Sequence, residues 1–378
     1  MIDFGLSEDQ EALQRSARDV LARECSPSLV RETAKSGDGL PAALYAKMAE
    51  LGWTGLIVPE THGGLGLGTL ELALVLEELG RVVAPGPFLG TQLVTAALVR
   101  GGTAAAKKTW LPRLVAGEAL GALAYLEASD RHDAAGITLA AKKTRVGYQL
   151  KGEKLFVAGL PGASLLLVAA RTKAGSGPRG VSLFVVPVDT PGVRVRPVET
   201  IDLTRRVGEL ELRDVVVDRS ALVGREGEGW PLLARLLDLG AVGIAADSLG
   251  GAERALEMAV EYSKVRQQFG RPIGSFQALK HMAAEMVAEI EPSRSLVWYA
   301  AYVFDKTPAE APRAASMAKA RLGEVYSRTV NRAVQMHGGI GFTWEHDLHL
   351  WFKRARWNEV AFGDPPFHRD RLAELDGY

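Results

Sequence analysis

Apolar residues follow a helical period in the first third of the chain. Leu13, Ala17 and Leu21 are spaced for one face of a helix, and the S-E-D-Q stretch at Ser7 predicts a capping box at its start. Further helical patterns, several of them ending at glycine, predict more helices downstream. We therefore expect an α-helical N-terminal domain over residues 1–120.

The pattern changes after residue 120. Short runs rich in β-branched residues alternate with glycine and proline, which is typical of antiparallel strands and their turns. The clearest runs are 148–150, 164–169, 181–188, 193–198 and 209–217. We expect a middle antiparallel β domain, a sandwich or a barrel, over residues 121–223.

Helical periodicity returns after a second turn cluster at Gly224–Gly229. Three long apolar patterns, 230–263, 276–305 and 309–336, have short connections, as in antiparallel bundles. Each is apolar on more than one side, which indicates burial against another subunit as well as in the bundle core. We expect a helical bundle domain over 224–378, and thus an α+β multidomain chain.

Composition is that of an ordinary globular protein. The 378 residues are 47% hydrophobic and 24% charged, and 45 basic side chains balance 45 acidic ones. This balance argues against a nucleic-acid or anionic-membrane footprint over the whole chain. The N-terminus is acidic and lacks the pattern of a secretory signal, and no run approaches roughly 18 apolar residues. With a single cysteine, Cys25, we expect a reducing, cytoplasmic location and no membrane span.

Several familiar catalytic motifs are missing from the sequence. It has no GxGxxG, GxxxxGK[ST] or GxSxG pattern, which argues against dinucleotide-fold, P-loop and α/β-hydrolase chemistry. His337 has no second histidine four residues away, and a single cysteine excludes Cys/His zinc spacings. His346 and His349 are interpreted as a solvated pair. We therefore expect no metal site.

Two stretches carry groups that suit a nucleotide. The first, YSKVRQQFGRPIGSFQALK over 262–280, joins two helices and brings Arg266 and Phe269 near the helix start at Gln277. A guanidinium, an aromatic face and helix N-terminal amides suit a pyrophosphate with an attached ring system. The second, QMHGGIG over 335–341, has two glycines that allow close backbone approach to a ligand. Taken alone, each stretch is only suggestive, and ordinary bundle turns are the favoured explanation.

Several stretches together resemble the acyl-CoA dehydrogenase family over the whole chain: R-Q-Q-F-G-R-P-I-G-S-F-Q, Q-M-H-G-G-I-G-F-T-W-E, the following K-R-A and the upstream VPETHGGLGLG. The resemblance implies an N-terminal α domain, a middle β domain and a C-terminal four-helix bundle, usually assembled as tetramers. It also implies α,β-desaturation of an acyl-CoA thioester, in which a carboxylate removes the α-proton and FAD accepts the β-hydrogen as hydride. The expected electron acceptor is an electron-transferring flavoprotein.

In that family each FAD lies across a subunit interface. The bundle of one subunit contacts the pyrophosphate and adenine, while the β domain of its neighbour holds the isoalloxazine ring. The resemblance therefore assigns a cofactor-binding role in the pyrophosphate and adenine half to Arg266, Phe269, Gln277, Gln335, Gly338 and Gly339.

The half that would hold the flavin ring departs from the family pattern. Leu126 replaces the Thr of the usual T-E-P-G-A-G-S-D loop, and His132 replaces its Ser. The usual W-I-T motif reads Phe156-Val157-Ala158, so a third hydroxyl is missing. Each lost donor costs about 1 kcal/mol or more if a flavin polar atom stays unpaired, although backbone amides can replace it. These positions are weaker candidates for cofactor binding.

The catalytic base implied by the resemblance is also missing. Alignment at Arg354 places Phe362 where most members carry a Glu in a Y-E-G-T loop. Gly240 stands where a minority, including isovaleryl-CoA dehydrogenase, carry the Glu on a bundle helix. Asp364, in a loop two positions from Phe362, is the remaining candidate base, and its alternative role is to begin a turn before a proline.

Three hypotheses follow from these matches and mismatches. In the first, the chain is a subunit of a heteromeric acyl-CoA dehydrogenase for fatty acid or steroid side-chain degradation, inactive alone, whose homologous partner supplies the base and the flavin-ring site. In the second, it is a self-sufficient homotetrameric flavoenzyme with Asp364 as displaced base, or a relative that catalyses another flavin reaction such as monooxygenation. In the third, it is a non-enzymatic binding or scaffold protein.

Overall fold

The computed structural model describes residues 5–36 and 39–378. The first part of the described chain is helical, as expected. Its helices are α1 (Glu8–Glu24), α2 (Pro27–Lys35), α3 (Ala42–Glu50), α4 (Thr69–Arg81), α5 (Phe88–Gly101) and α6 (Ala104–Val115). The capping box at α1 is formed, because the Ser7 hydroxyl accepts from the Gln10 amide at 3.3 Å and the Ser7 amide donates to the Gln10 side chain at 3.0 Å.

The middle of the chain forms one mixed sheet. Its strands are β1 (Gly121–Ala124), β2 (Ala140–Lys143), β3 (Gly147–Ala158), β4 (Leu165–Arg171), β5 (Val181–Pro187), β6 (Val193–Val198), β7 (Val207–Asp218) and β8 (Leu222–Val223). The order is β6-β7-β3-β2-β4-β5-β8, with β1 beside β4. Most pairs are antiparallel, but β1 pairs with β4 in parallel, and so does β2 at Ala140 and Arg171.

The last part of the chain is again helical. Its elements are α7 (Trp230–Val265), a short hairpin of β9 (Gln267–Gln268) and β10 (Arg271–Pro272), α8 (Gln277–Lys306), α9 (Ala311–His337), α10 (Leu348–Val360) and α11 (Pro365–Leu375). Helix α9 packs against α8, α10 and α11. The expected α+β order of helices, sheet and helical bundle is thus confirmed.

The described chain divides into two compact units, each built from separate segments. The first comprises the residues up to Arg31, Thr69–Ala84 and Ala241–Tyr378, and the second comprises Glu32–Gly68 and Pro85–Gly240. Helix α4 therefore belongs with the C-terminal helices. The division into 1–120, 121–223 and 224–378 stays a prediction from the sequence.

Close glycine contacts explain why α4 packs on α7. A Cβ on Gly250 of α7 would lie 1.8 Å from the Glu77 carbonyl oxygen, and a Cβ on Gly80 of α4 would lie 2.0 Å from the Asp247 carbonyl oxygen. A side chain at either glycine would push the helices apart.

A buried polar network fixes α10 in the first unit. The Arg354 guanidinium donates to Asp247 at 2.9 Å and to the carbonyl oxygens of Val83 and Ala84 at 3.2 and 3.1 Å. Asn358, one turn later, donates to Asp247 at 2.8 Å. Since a buried charge must be paired and hydrogen-bonded, this network sets the position of α10 and of the loop that follows it.

Candidate functional site

The nucleotide-like stretch after α7 folds as a tight hairpin. The two central residues of its turn, Phe269 (φ +54°) and Gly270 (φ +75°), are both left-handed, as a two-residue type I′ turn requires. A bulky side chain rarely adopts this conformation, yet Phe269 holds its ring 90% exposed at the tip. Strain together with an exposed aromatic ring marks this turn as a candidate ligand contact.

A cavity of about 700 Å³ opens beside the hairpin. The end of α7, the hairpin, the start of α8 and the end of α9 line it. Gln277 itself does not line it, although its neighbours Phe276 and Ala278 do. The sequence-predicted residues that line this cavity are Arg266, Phe269, Gln335, Gly338 and Gly339.

The glycine turn at the end of α9 leaves room for a ligand. Gly338 has φ +64° and ψ −142°, a combination open essentially to glycine. A Cβ added to Gly338 or Gly339 would meet no atom within 4 Å, so the space over the turn is open. Helix α8 begins without a side-chain cap, and its first amides are therefore suited to an anion. A cation, aromatic rings, helix amides and bare backbone fit the pyrophosphate and adenine of FAD.

The histidines near this cavity are packed against other rings. His337 stacks on Tyr262, with ring centroids 4.6 Å apart, and His346 meets His337 edge-on at 4.5 Å. His349 lies against Trp344 at 4.5 Å, and burial lowers the pKa of His349 to about 4. The interpretation of His346 and His349 as a solvated pair was wrong, because both residues are half-buried and each ring packs against another ring.

The weaker candidates lie on two segments of the second unit that a buried ion pair joins. The Lys154 ammonium, fully buried, donates to Glu127 at 2.6 Å and to the Tyr125 carbonyl oxygen at 3.1 Å. The Leu155 amide donates to the Leu126 carbonyl oxygen at 2.9 Å. Burial lowers the pKa of Lys154 to about 8, against the opposing effect of the Glu127 carboxylate. Sequence reasoning did not single out this pair, because Lys154 follows Lys151, Gly152 and Glu153 and so has the pattern of an exposed strand lysine.

The remaining weak candidates lie close to this pair. The Tyr125 hydroxyl and the His132 Nδ1 are 3.0 Å apart. Phe156 is left-handed (φ +51°) and 61% exposed at a register shift of β3, and Ala158 ends that strand. A bulge of this kind redirects a side chain, here the aromatic ring at the position of the family's tryptophan.

The loop between α10 and α11 is firmly held although it carries no carboxylate at the base position. Phe362 (φ +58°) and Gly363 (φ +98°) are both left-handed. The buried Lys319 ammonium donates to the carbonyl oxygens of Glu359 at 3.0 Å and Gly363 at 2.7 Å. On the other side, His368 Nε2 lies 3.0 Å from the Phe362 carbonyl oxygen.

The other two positions considered for the base are Asp364 and Gly240, and the structure explains both without a catalytic role. Asp364 is the N-cap of α11, and its carboxylate accepts from the Phe367 amide at 2.8 Å. Gly240 is buried inside α7. Asp364 therefore stabilises a helix start, as a capping carboxylate usually does.

Residues 5–36 and 39–378 show neither a metal site nor a membrane-spanning helix. Within them, no three His, Cys, Asp or Glu side chains are grouped so that they could hold a metal ion. In the same ranges, none of the helices has the length and apolar character needed to cross a bilayer.

Comparison with known proteins identifies the family. The acyl-CoA dehydrogenase N-terminal, middle and C-terminal domain models match residues 7–118, 122–215 and 227–375. Acryloyl-CoA reductase (NADH) of Anaerotignum propionicum is 33% identical over 98% of this chain and 95% of its own length.

Solved structures agree with that result. Butyryl-CoA dehydrogenase from Megasphaera elsdenii has a TM-score of 0.91 at 30% identity, covering 99% of both chains. A chain of the ChsE4-ChsE5 complex from Mycobacterium tuberculosis has a TM-score of 0.90 at 30% identity, covering both chains completely. Solved relatives also include FAD complexes. The expected enzyme class and cofactor are thus confirmed, and the chain belongs to the acyl-CoA dehydrogenase family of FAD-dependent oxidoreductases that act on CH–CH bonds.

Proposed function

We propose that this chain is a subunit of a heteromeric acyl-CoA dehydrogenase. It contributes the pyrophosphate and adenine half of an FAD site, while a homologous partner chain contributes the flavin-ring half and the base. The observation that carries the proposal is an asymmetry within the chain. Five predicted nucleotide residues gather on one cavity, whereas the two positions for the base hold Phe362 and Gly240.

Each cavity residue would hold a different portion of the cofactor. The Arg266 guanidinium and the first amides of α8 would neutralise the pyrophosphate. The exposed Phe269 ring offers a face to the adenine, and Gly338 and Gly339 let backbone approach it. When bound, FAD supplies the hydride acceptor of the desaturation.

Removal of the α-proton requires a base that this chain does not place at the family positions. A phenyl ring and a glycine hydrogen cannot accept a proton, and the Asp364 carboxylate caps α11. General-base catalysis contributes about 10²–10⁴-fold to such a step, so a site without it is nearly inactive. A partner that carries the carboxylate would restore it. The solved ChsE4-ChsE5 complex supports this arrangement, because it pairs two differently named chains in one assembly.

The test is to purify the chain alone and together with a homologous chain. We expect a colourless protein alone, and in the co-expressed complex one FAD for each pair of chains, measured by native mass spectrometry and visible absorption. Flavin in the complex should bleach when acyl-CoA is added. A chain that purifies alone with one FAD per subunit and bleaches with acyl-CoA would overturn the proposal.

One observation favours the self-sufficient homotetramer as a second candidate. The segments around Leu126 and Phe156 are joined by the Glu127–Lys154 pair, so their backbone stays ordered although the hydroxyls are lost. Backbone amides then remain as donors to a flavin ring. The visible spectrum of the isolated chain separates the two candidates. Failure to bind flavin with any partner would instead favour a scaffold role.

The cellular setting completes the proposal. We place the enzyme in the cytoplasm, in fatty acid or steroid side-chain degradation, with an electron-transferring flavoprotein as acceptor. The acceptor is supported by a solved relative, 31% identical, from work on the electron-transferring flavoprotein of Acidaminococcus fermentans. Reoxidation of the reduced complex by such a protein is the measurement that tests it.

A further inference from the structure

Three aromatic rings from separate elements meet directly below the glycine turn of the cavity. Tyr262 lies near the end of α7, His337 is the last residue of α9, and His346 lies in the loop before α10. Tyr262 and His337 are nearly parallel, 22° apart in plane, and His346 crosses His337 at 60°. His337 is 3% exposed and directly precedes Gly338. The position of the His337 ring therefore fixes the start of the turn.

The hydrogen bonds of this ring stack suit neutral imidazoles. His337 Nδ1 lies 2.7 Å from the Ala333 carbonyl oxygen, to which it donates, so the neutral ring carries its proton on Nδ1. Its Nε2 is buried and has no hydrogen-bond partner among the described residues. His346 Nδ1 accepts from the Leu348 amide at 3.2 Å, which a protonated Nδ1 could not do. Burial lowers the pKa of both His337 and His346.

The charged groups around the stack do little to stabilise a protonated histidine ring. The Asp347 carboxylate raises the pKa of His346, but it is already paired with Arg31 at 2.7 Å, and Arg31 opposes its effect. Helix α10 begins two residues after His346 and carries His349 and Lys353. On the cavity side, the end of α7 carries the Arg266 guanidinium, and Glu345 next to His346 is exposed. Two imidazolium rings at 4.5 Å would also repel each other.

We propose that the Tyr262–His337–His346 stack is a pH-sensitive support of the glycine turn, so that acidification weakens nucleotide binding at this cavity. The inference rests on the proposed function in one respect, that the cavity takes the ADP half of FAD. Protonation of His346 breaks the hydrogen bond that its Nδ1 accepts from the Leu348 amide, and displaces the ring that packs on His337, the residue before Gly338. The turn then loses the geometry that opens its backbone to the ligand.

ADP-ribose is a suitable probe, because its pyrophosphate diester keeps the same charge over the pH range used. Calorimetric titration of the full chain at about pH 7.5 and about pH 5.5 brackets the ordinary histidine pKa. We expect binding more than about threefold and up to about tenfold weaker at the lower pH, because about pH 5.5 lies about one unit below the ordinary histidine pKa. His346→Phe keeps a ring but removes the titration, so its affinity should change by less than about threefold. His281→Phe, at an exposed histidine of α8, is the matched control and should behave like the native chain.

Amide exchange over 338–342 gives a second measurement that does not need ligand. Corrected for intrinsic rates, exchange in this segment should accelerate at about pH 5.5 in the native chain and not in His346→Phe. Equal pH dependence in the native chain and in His346→Phe, by either measurement, overturns the role of the stack. Absence of ADP-ribose binding at both pH values would instead overturn the proposed nucleotide site, while amide exchange would still test the stack.

Discussion

Replacement of Lys154 by Met is expected to destabilise the sheet of the second unit. It would leave the Glu127 carboxylate, whose side chain is only 10% exposed, without its cation, and would remove the hydrogen bond to the Tyr125 carbonyl oxygen. Met has a similar length and volume, so the change isolates the charge. Loss of one partner from a buried ion pair costs about 3–5 kcal/mol.

Two features of the site lower this figure. In the variant, the Glu127 carboxylate keeps hydrogen bonds from the Thr138 amide at 2.9 Å and the Leu139 amide at 3.0 Å, so it still has hydrogen-bond partners. Burial of the Lys154 ammonium is itself costly, and for this reason its pKa falls from 10.5 to about 8. We therefore expect a loss of about 2–3 kcal/mol near neutral pH. Glu127→Gln should cost a similar amount, whereas the double variant should recover most of the loss.

The pH dependence has a definite sign. Between the folded pKa of about 8 and the unfolded value of 10.5, the unfolded chain binds more protons at Lys154 than the folded chain does. The free energy of unfolding therefore rises with pH in that interval, and this rise should be absent in Lys154→Met.

Native-state hydrogen exchange of the β3 amides measures this stability locally, which suits a chain of two units. The Leu155 amide, bonded across to Leu126, is the most direct reporter. Lys151→Met is the matched control, since the Lys151 side chain on the same strand is 70% exposed and should change stability by less than about 0.5 kcal/mol. A loss below about 1 kcal/mol for Lys154→Met, or strict additivity of the two single changes, would refute the reasoning.

Three further predictions concern the first unit. Arg266→Ala should lower the FAD retained by the assembled complex about tenfold after gel filtration, because a charge-assisted contact to pyrophosphate is lost, and unchanged flavin content would contradict the assignment. Asp364→Asn should leave kcat of the complex nearly intact, since Asn also caps a helix, whereas a loss of about 10³-fold would identify Asp364 as the base. Burial lowers the pKa of Lys319 from 10.5 to about 7, so stability should rise between these pH values, and thermal unfolding of Lys319→Met should lack that rise.

Local patterns were sufficient to predict the order of elements. The capping box at Ser7 and the three long C-terminal helices depend on residues within a few turns of each other, and the structure forms them within a few residues of the expected bounds. Strand β1 was missed because G-A-L-A is buried on both faces and shows no alternation. The grouping of α4 with α7 was also missed, since it depends on Gly80 and Gly250, which are distant in sequence.

The same difference between local and distant contacts decides how much of the candidate site could be predicted. A ligand that contacts the backbone restricts which residue type can occupy a single position. Gly338, whose conformation is open essentially to glycine, is therefore recognisable within one short motif. The groups that support the site are individually ambiguous: a lysine in a strand or a histidine in a loop acquires its role only from a partner elsewhere in the chain. Lys154 needs Glu127, and His346 needs His337. Motifs could therefore bring together most of the residues proposed to contact the nucleotide, whereas the interactions that hold those residues in place required the folded chain.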